Sequence, residues 1–189
     1  MDNEKLTVFT EENTKEIFNI LELCQGINQD PEWHPEGDVF NHSLQVVKLA
    51  FRESNDVDLI LAAMLHDVGK SIESHGHEQI GCKLLDSYVS SKTLFLIENH
   101  MRIWNYLEGK MHKLSKCKFL ASHPYLAELI QLARWDKKGR KKTKVKYDKG
   151  KIIERLNKAT GEHFRIPKGF KNIDEIMEFN PNKRMQADN

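Results

Sequence analysis

The sequence predicts an all-α bundle of roughly seven to nine helices, on three observations. Apolar residues recur at intervals of three and four along nearly the whole chain. Capping and helix-breaking residues separate these periodic stretches, and no alternating run of useful strand length, internal repeat or low-complexity linker interrupts them.

Taken in order, Ile17, Phe18, Ile20, Leu21, Leu23, Cys24 and Ile27 follow helical spacing from Thr10 to about Asn28, behind an early run of acids. The stretch DPEWHPEGD breaks that pattern with two prolines and a glycine, and Asp38 then caps a helix through about Arg52. Asp56 precedes a helix to about Val68, which Gly69 stops. Further helices are expected over about 77–90, 92–108, 112–121 and 124–136, the last with Pro124 in its first turn. After a basic stretch at 137–151, one more helix covers about 149–160. The run GEHFRIPKGFKNIDEIMEF is expected to form a small terminal element, and residues 181–189 are expected to fray. The 189 residues read as a single domain, with a core at about 30–140 and a C-terminal helical extension at 149–180.

A hydrophobic fraction of 39% beside a charged fraction of 30% supports a buried core with a solvated surface and excludes a disordered polymer. No stretch approaches the ~20 apolar residues of a membrane span, and the acidic start MDNEKLTVFTEEN lacks the parts of a secretory signal. Cys24, Cys82 and Cys117 are too few and too scattered for a disulfide framework, so they are expected to be reduced thiols in a cytoplasmic protein. The formal charge of +1 hides an asymmetry. Residues 137–151 hold nine Lys or Arg against Asp148, a charge of +8, which leaves −7 on the remainder. That segment either contacts a polyphosphate or nucleic-acid backbone or forms a solvated loop.

The histidines and two aspartates carry the chemistry. On a helix, residues three and four apart share a face. His42 falls with Val39 and Val46, His66 with Leu59, Ala62 and Ala63, and Asp67 with Ala63 and Met64. His77 falls with Ile80 and Leu84, His100 with Leu96, Ile97, Ile103 and Trp104, and Asp136 follows Leu129, Leu132 and Ala133. All six point inward, whereas His34, His75, His112 and His163 read as peripheral. One inward histidine is usually a hydrogen-bonded core residue. Four of them with two inward carboxylates are different, because an uncompensated buried carboxylate costs several kcal/mol and no Lys or Arg partner is apparent at these spacings. A divalent transition metal would supply the charge to this N/O donor set.

The string AMLHDVGK, preceded by GDVFNHSLQVV and followed by GHEQIG, ENH and ARWDKKGR, resembles the HD-domain metal-dependent phosphohydrolases. The stretch DPEWHPEGDVFNHSLQVV is similar to the HD domain of bacterial CCA-adding tRNA nucleotidyltransferases and to the HD phosphoesterase half of RNA-repair enzymes fused to a polynucleotide kinase. The resemblance covers about residues 30–140, without a nucleotidyltransferase signature or a phosphate-binding GxxxxGK[ST] loop.

It implies that His42, His66, Asp67 and Asp136 hold one ion, with His77 and His100 completing a possible second site. The ions it implies are manganese, nickel, cobalt, iron or zinc, with magnesium possible. In mononuclear use, His77 and His100 would contact phosphate or shuttle a proton. His66, Asp67 and Lys70 are the expected catalytic residues. Lys70, Arg140, Trp33 and His75 are the expected substrate contacts, with Trp104 and Trp135 weaker candidates for stacking a base. The implied reaction opens 2′,3′-cyclic phosphates or removes 2′-phosphates on RNA ends or small nucleotides. The alternatives are a 5′-deoxynucleotidase, a cyclic-nucleotide hydrolase, or a non-catalytic nucleotide or RNA binder.

Overall fold

The computed structural model describes residues 10–159, 171, 174 and 175. Among them run nine α-helices: α1 (Glu11–Glu22), α2 (Val39–Glu53), α3 (Val57–Leu65), α4 (His77–Leu85), α5 (Ser91–Asn99), α6 (Arg102–Leu107), α7 (Leu114–Ala121), α8 (Leu126–Lys138) and α9 (Lys149–Lys158). A 3-10 turn covers Val68–Ser71, and an isolated antiparallel bridge joins Asn28 to Asp38. The architecture is the all-α bundle that the periodicity predicts. Most of the expected terminal element after residue 160, and the tail at 181–189, lie outside the described residues. No described helix is long and apolar enough to cross a membrane.

The core is organised around α3. Its residues from Leu59 to Leu65 are all buried, as expected of a helix that is apolar on every side, and it packs against α2, α5 and α8. Each Leu or Ile it buries contributes roughly 1.5–3 kcal/mol. Asp56 caps it through the amides of Asp58 and Leu59, and the Lys92 ammonium meets the Asp56 carboxylate at 2.6 Å. Helix α8 is aligned on α2 by one carboxylate. Glu53 accepts from Gln131 Nε2 at 3.0 Å, from Trp135 Nε1 at 2.7 Å, and from Arg134. Gly139 then lets the end of α8 come close to α2, since a Cβ there would lie 2.6 Å from Val46 Cγ2.

Several predicted boundaries move. Helix α1 ends at Glu22 instead of continuing to Asn28, because the chain turns to bring Asn28 beside Asp38. Helix α4 is likewise shorter than predicted. Pro124 lies ahead of α8 rather than inside its first turn. The single helix expected over 92–108 is two. His100 follows α5, its Nδ1 lies 2.7 Å from the Ile97 carbonyl, and the chain restarts as α6 at Arg102.

Gly69 also has a different role from the helix stop predicted for it. Helix α3 ends at Leu65, and Gly69 sits within the 3-10 turn against α4, where a Cβ would lie 2.0 Å from the His77 carbonyl oxygen and 2.7 Å from the Gly81 nitrogen. Backbone, unlike a flexible side chain, cannot yield cheaply. Gly69→Ala is therefore expected to destabilise the fold by about 3 kcal/mol, read as a lowered urea midpoint with an unchanged slope. A midpoint equal to that of the unsubstituted chain would mean the contact is not tight.

Candidate metal centre

The six inward residues come from separate segments and meet at one place. His42 is on α2, His66 and Asp67 follow the end of α3, His77 opens α4, His100 follows α5, and Asp136 is on α8. All are at most 5% exposed. Asp67 is the hub, and its two oxygens face different imidazoles. Oδ2 lies 3.6 Å from His66 Nε2 and 3.9 Å from His42 Nε2, whereas Oδ1 lies 3.1 Å from His77 Nε2 and 3.6 Å from His100 Nε2. Asp136 Oδ1 closes the first group at 3.1 Å from His42 Nε2. Two ligand triads result, His42–His66–Asp67 and Asp67–His77–His100, and each has donor atoms close enough together to hold one ion.

The orientation of the rings supports this arrangement. His66 Nδ1 lies 3.2 Å from the Ala63 carbonyl, His77 Nδ1 2.9 Å from that of Ser74, and His100 Nδ1 2.7 Å from that of Ile97. A carbonyl only accepts, so each Nδ1 carries a hydrogen and the neutral ring presents an Nε2 lone pair to Asp67. His42 Nδ1 faces a carboxylate instead, Glu36 Oε1 at 2.8 Å. Four Nε2 atoms thus converge with two carboxylates. His77 Nε2 and His100 Nε2 are only 3.2 Å apart, the buried His66 Nε2 has no hydrogen-bond partner, and His42 Nε2 meets the Asp136 carboxylate at 3.1 Å. Lone pairs turned towards one another in a dry interior need a cation between them, and outward partners on Nδ1 are how metal-binding imidazoles are oriented. The donor set therefore fits a divalent transition metal.

Titration behaviour separates the imidazoles: His66 is already neutral, whereas His42 and His77 hold their protons more tightly and must release them to bind an ion. Burial disfavours charge on His66 and pushes its imidazole down to about 3, which keeps the ring neutral as a ligand must be. Burial also acts downward on His42, but the Asp136 and Glu36 carboxylates outweigh it and lift the group to about 9. His77 is raised as well, since its contact with Asp67 exceeds the effect of burial. Burial alone would push Asp67 up, yet His66 and Lys70 hold it well below the usual carboxylate range. Asp136 is held down similarly, by His42 and Arg140.

The structure corrects several expectations. Both aspartates do have cationic partners. Lys70 Nζ donates to Asp67 Oδ2 at 2.8 Å and to Gln29 Oε1 at 2.9 Å, and Arg140 Nη2 donates to both oxygens of Asp136, at 3.0 and 3.3 Å. Their charge therefore does not by itself demand an ion, and the converging Nε2 atoms carry that argument instead. His34 is not peripheral. Its Nδ1 lies 2.9 Å from Glu36 Oε1, and its ring stands edge-on to His42. Glu36, read from sequence as part of a turn, has a fully buried side chain that contacts both histidines. Burial pushes its carboxyl up, but those two contacts prevail and hold it at about 2. The signal that could have found it is the spacing of a carboxylate six positions ahead of His42, across the Pro–Glu–Gly–Asp turn.

A cavity of about 520 Å³ opens above the cluster. Asp67, His77, His100 and Asp136 form its floor, and Lys70, Arg140, His34 and Trp33 stand in its wall. His75 is exposed and is not part of that wall. A second chamber of about 530 Å³ shares Trp33, Met101 and Arg140 with the first and adds Pro35, Trp104 and Lys137. Trp104 is thus half-buried on a chamber wall rather than wholly in the core. Trp135 is fully buried against Glu53 and cannot stack a base.

A family model for the HD domain matches residues 39–140. The match covers more than half of the chain and includes all six clustered residues together with Lys70 and Arg140, and the chain belongs to the HD-domain family, whose members are in general metal-dependent hydrolases. Trp33, His34 and Glu36 lie ahead of it.

Two measurements test the centre. Because His42 must lose its proton to coordinate, affinity for Mn²⁺ should rise about tenfold per pH unit from neutral pH to about 9 and then level off, in competition titrations against a chelating dye. A flat profile would remove His42 from the ligand set. Glu36→Gln should weaken the same affinity by about 10–100-fold and move the plateau to lower pH, with helical circular dichroism unchanged.

Proposed function

We propose that this HD-domain protein is a metal-dependent phosphoesterase that opens 2′,3′-cyclic phosphates and removes 2′-phosphates, on RNA ends or nucleotides. The observation that carries this reading is the division of the Asp67 carboxylate between two imidazole groups directly beneath a cavity walled by Lys70 and Arg140. The likeness of DPEWHPEGDVFNHSLQVV to HD domains that process RNA ends supports the choice of substrate.

A divalent ion held by His42, His66, Asp67 and Asp136 would lower the pKa of bound water towards neutrality and offset charge on the phosphoryl oxygens. The chain's own groups supply the rest. Lys70 and Arg140 approach the cavity from two sides, each anchored to one of the buried aspartates. The ammonium uses two donors on Asp67 and Gln29, which leaves one for a non-bridging phosphoryl oxygen. The Arg140 guanidinium, held on Asp136 through Nη2, keeps further N–H donors for a second oxygen. As water bonds to phosphorus, one ribose P–O bond breaks, and the departing oxygen needs a proton. His77 and His100 lie in the cavity floor, where an imidazole not engaged by an ion can deliver it.

The neighbouring chamber suits the base. Trp33 is 64% exposed and Met101 44%, and with Trp104 and Pro35 they form an apolar wall continuous with the phosphate cavity through Arg140. Exposed aromatic faces beside a cationic anchor match a nucleoside phosphate, because every base offers a face for stacking.

A product assay tests the assignment. Purified protein supplied with Mn²⁺ should hydrolyse 2′,3′-cyclic AMP and 2′-AMP faster than 5′-dAMP. Chelation should abolish turnover, and Asp67→Ala should reduce it by at least about 100-fold. Turnover confined to 5′-dAMP would assign a deoxynucleotidase instead, and turnover that survives chelation would exclude the metal-dependent reading.

A further inference from the structure

We propose that a second, cationic groove on this protein binds the phosphodiester backbone of single-stranded RNA, and that the strand reaches the metal cavity over the turn at 137–141. The groove lies between the second half of α2, the extended run 141–146 and α9. It consists of two chambers, of about 250 and 350 Å³, that share Lys48, Arg52 and Val145. Lys141 completes the first, and Lys146 and Arg155 the second. Among the described residues Asp148 is the only acid in either lining, and it is already engaged as the cap of α9 and by Lys151. Lys48, Arg52, Lys141 and Lys146 are all exposed, and Asp148 is the acid whose charge Lys146 feels.

This basic segment is not a loose loop. Asn41 and Gln45, buried on α2, bind its backbone much as a neighbouring strand would. Gln45 Nε2 donates to the carbonyls of Lys141 and Thr143, Lys141 N donates to Gln45 Oε1, and Val145 N donates to Asn41 Oδ1. Tyr147 anchors the far end on Glu22 at 2.5 Å. The lysines therefore project from a fixed backbone, which lowers the ordering cost of engaging a polyanion.

The lining also selects the ligand. Leu49, Phe51 and Ile152 form an apolar floor between the cations, and the Arg155 guanidinium stacks over Phe51 at 4.6 Å. A lone inorganic anion would need no such floor, whereas a chain of phosphates joined by sugars and bases uses both surfaces. A membrane surface fits poorly, because the cations line a concavity and none of the large hydrophobic residues exposed among the described residues lies in it. Lys138, Gly139 and Lys141 face this groove while Lys137 and Arg140 face the cavities above the metal cluster, so one short turn is a wall of both. Binding in the groove does not depend on the hydrolytic assignment. Placing the strand's end in the cavity does.

The test is fluorescence anisotropy of a short labelled RNA on the full chain, over a series of salt concentrations, comparing it with K48Q/R52Q. The double variant should bind at least about tenfold more weakly, with the log–log salt slope reduced by about 1.4, as expected for two lost contacts to single-strand phosphates. Its turnover of 2′,3′-cyclic AMP should be unchanged, and its KM for an RNA end should rise without a change in kcat. Equal RNA affinity in the two proteins would overturn the proposal. So would preferential binding to phosphatidylserine vesicles, or equal competition by inorganic polyphosphate at matched charge. If the variant loses RNA affinity although neither protein hydrolyses any nucleotide, the groove stands and the hydrolase assignment alone fails.

Discussion

A carboxylate stripped of water and ringed by imidazole nitrogens is the constraint on which the rest of the molecule depends. Desolvating Asp67 costs several kcal/mol, and the fold recovers that cost only if cationic or hydrogen-bonding groups arrive from every side. This accounts for the all-round apolar character of α3, which delivers His66 and Asp67 into the centre of the bundle. It also accounts for the abrupt tightening of the chain into the 3-10 turn immediately afterwards. Only with that turn does Lys70 fold back onto Asp67, and only a glycine at 69 lets the turn reach α4 and bring His77 to the opposite carboxylate oxygen.

The second half of the cluster depends on how α8 sits on α2. Glu53 gathers three donors from α8, and Gly139 removes the side chain that would hold the helices apart near Val46. None of these groups lines the cavity, yet the contact sets the register that places Asp136 beside His42 and Arg140 on the cavity wall. A partly buried ion network of this kind adds little net stability over apolar packing, but it discriminates against a slipped pairing in which polar groups would be left unsatisfied. Here the register is what chemistry at the centre requires.

Helical periodicity made much of this legible. Positions 42, 66, 67, 77, 100 and 136 each share a face with apolar residues, so their burial follows from spacing alone, and family resemblance supplied the order in which they are used. What periodicity missed lies in irregular chain or depends on partners distant in sequence. Glu36 and His34 sit in a Pro- and Gly-containing turn that has no face to read, and only tertiary structure brings them to His42. Lys70 and Arg140 stand at i,i+3 and i,i+4 from their aspartates, a spacing that was available to sequence reasoning. Sequence reasoning assigns them to the substrate alone, but a long side chain can bury its stem, pair with a carboxylate and still face the cavity. The break at His100 escaped notice because Leu96, Ile97, Ile103 and Trp104 keep helical spacing across it.

The charge distribution joins the two halves of the functional reading. Outside residues 137–151 the chain is net negative, so a polyanion approaching from most directions meets repulsion and is drawn towards one segment. That segment begins at the end of α8, one residue beyond Asp136, and buried amides of α2 then hold it in place. The helix that supplies a candidate metal ligand therefore also launches the only strongly positive stretch of the chain. Its turn at 137–141 divides the side chains between the metal cavities and the groove on the other side. A mononucleotide would need only the first surface. Under the proposed function, steering that extends past the turn has a physical use when the reacting phosphate is one end of a longer charged strand, and a polymer substrate would use both surfaces where a free nucleotide would not.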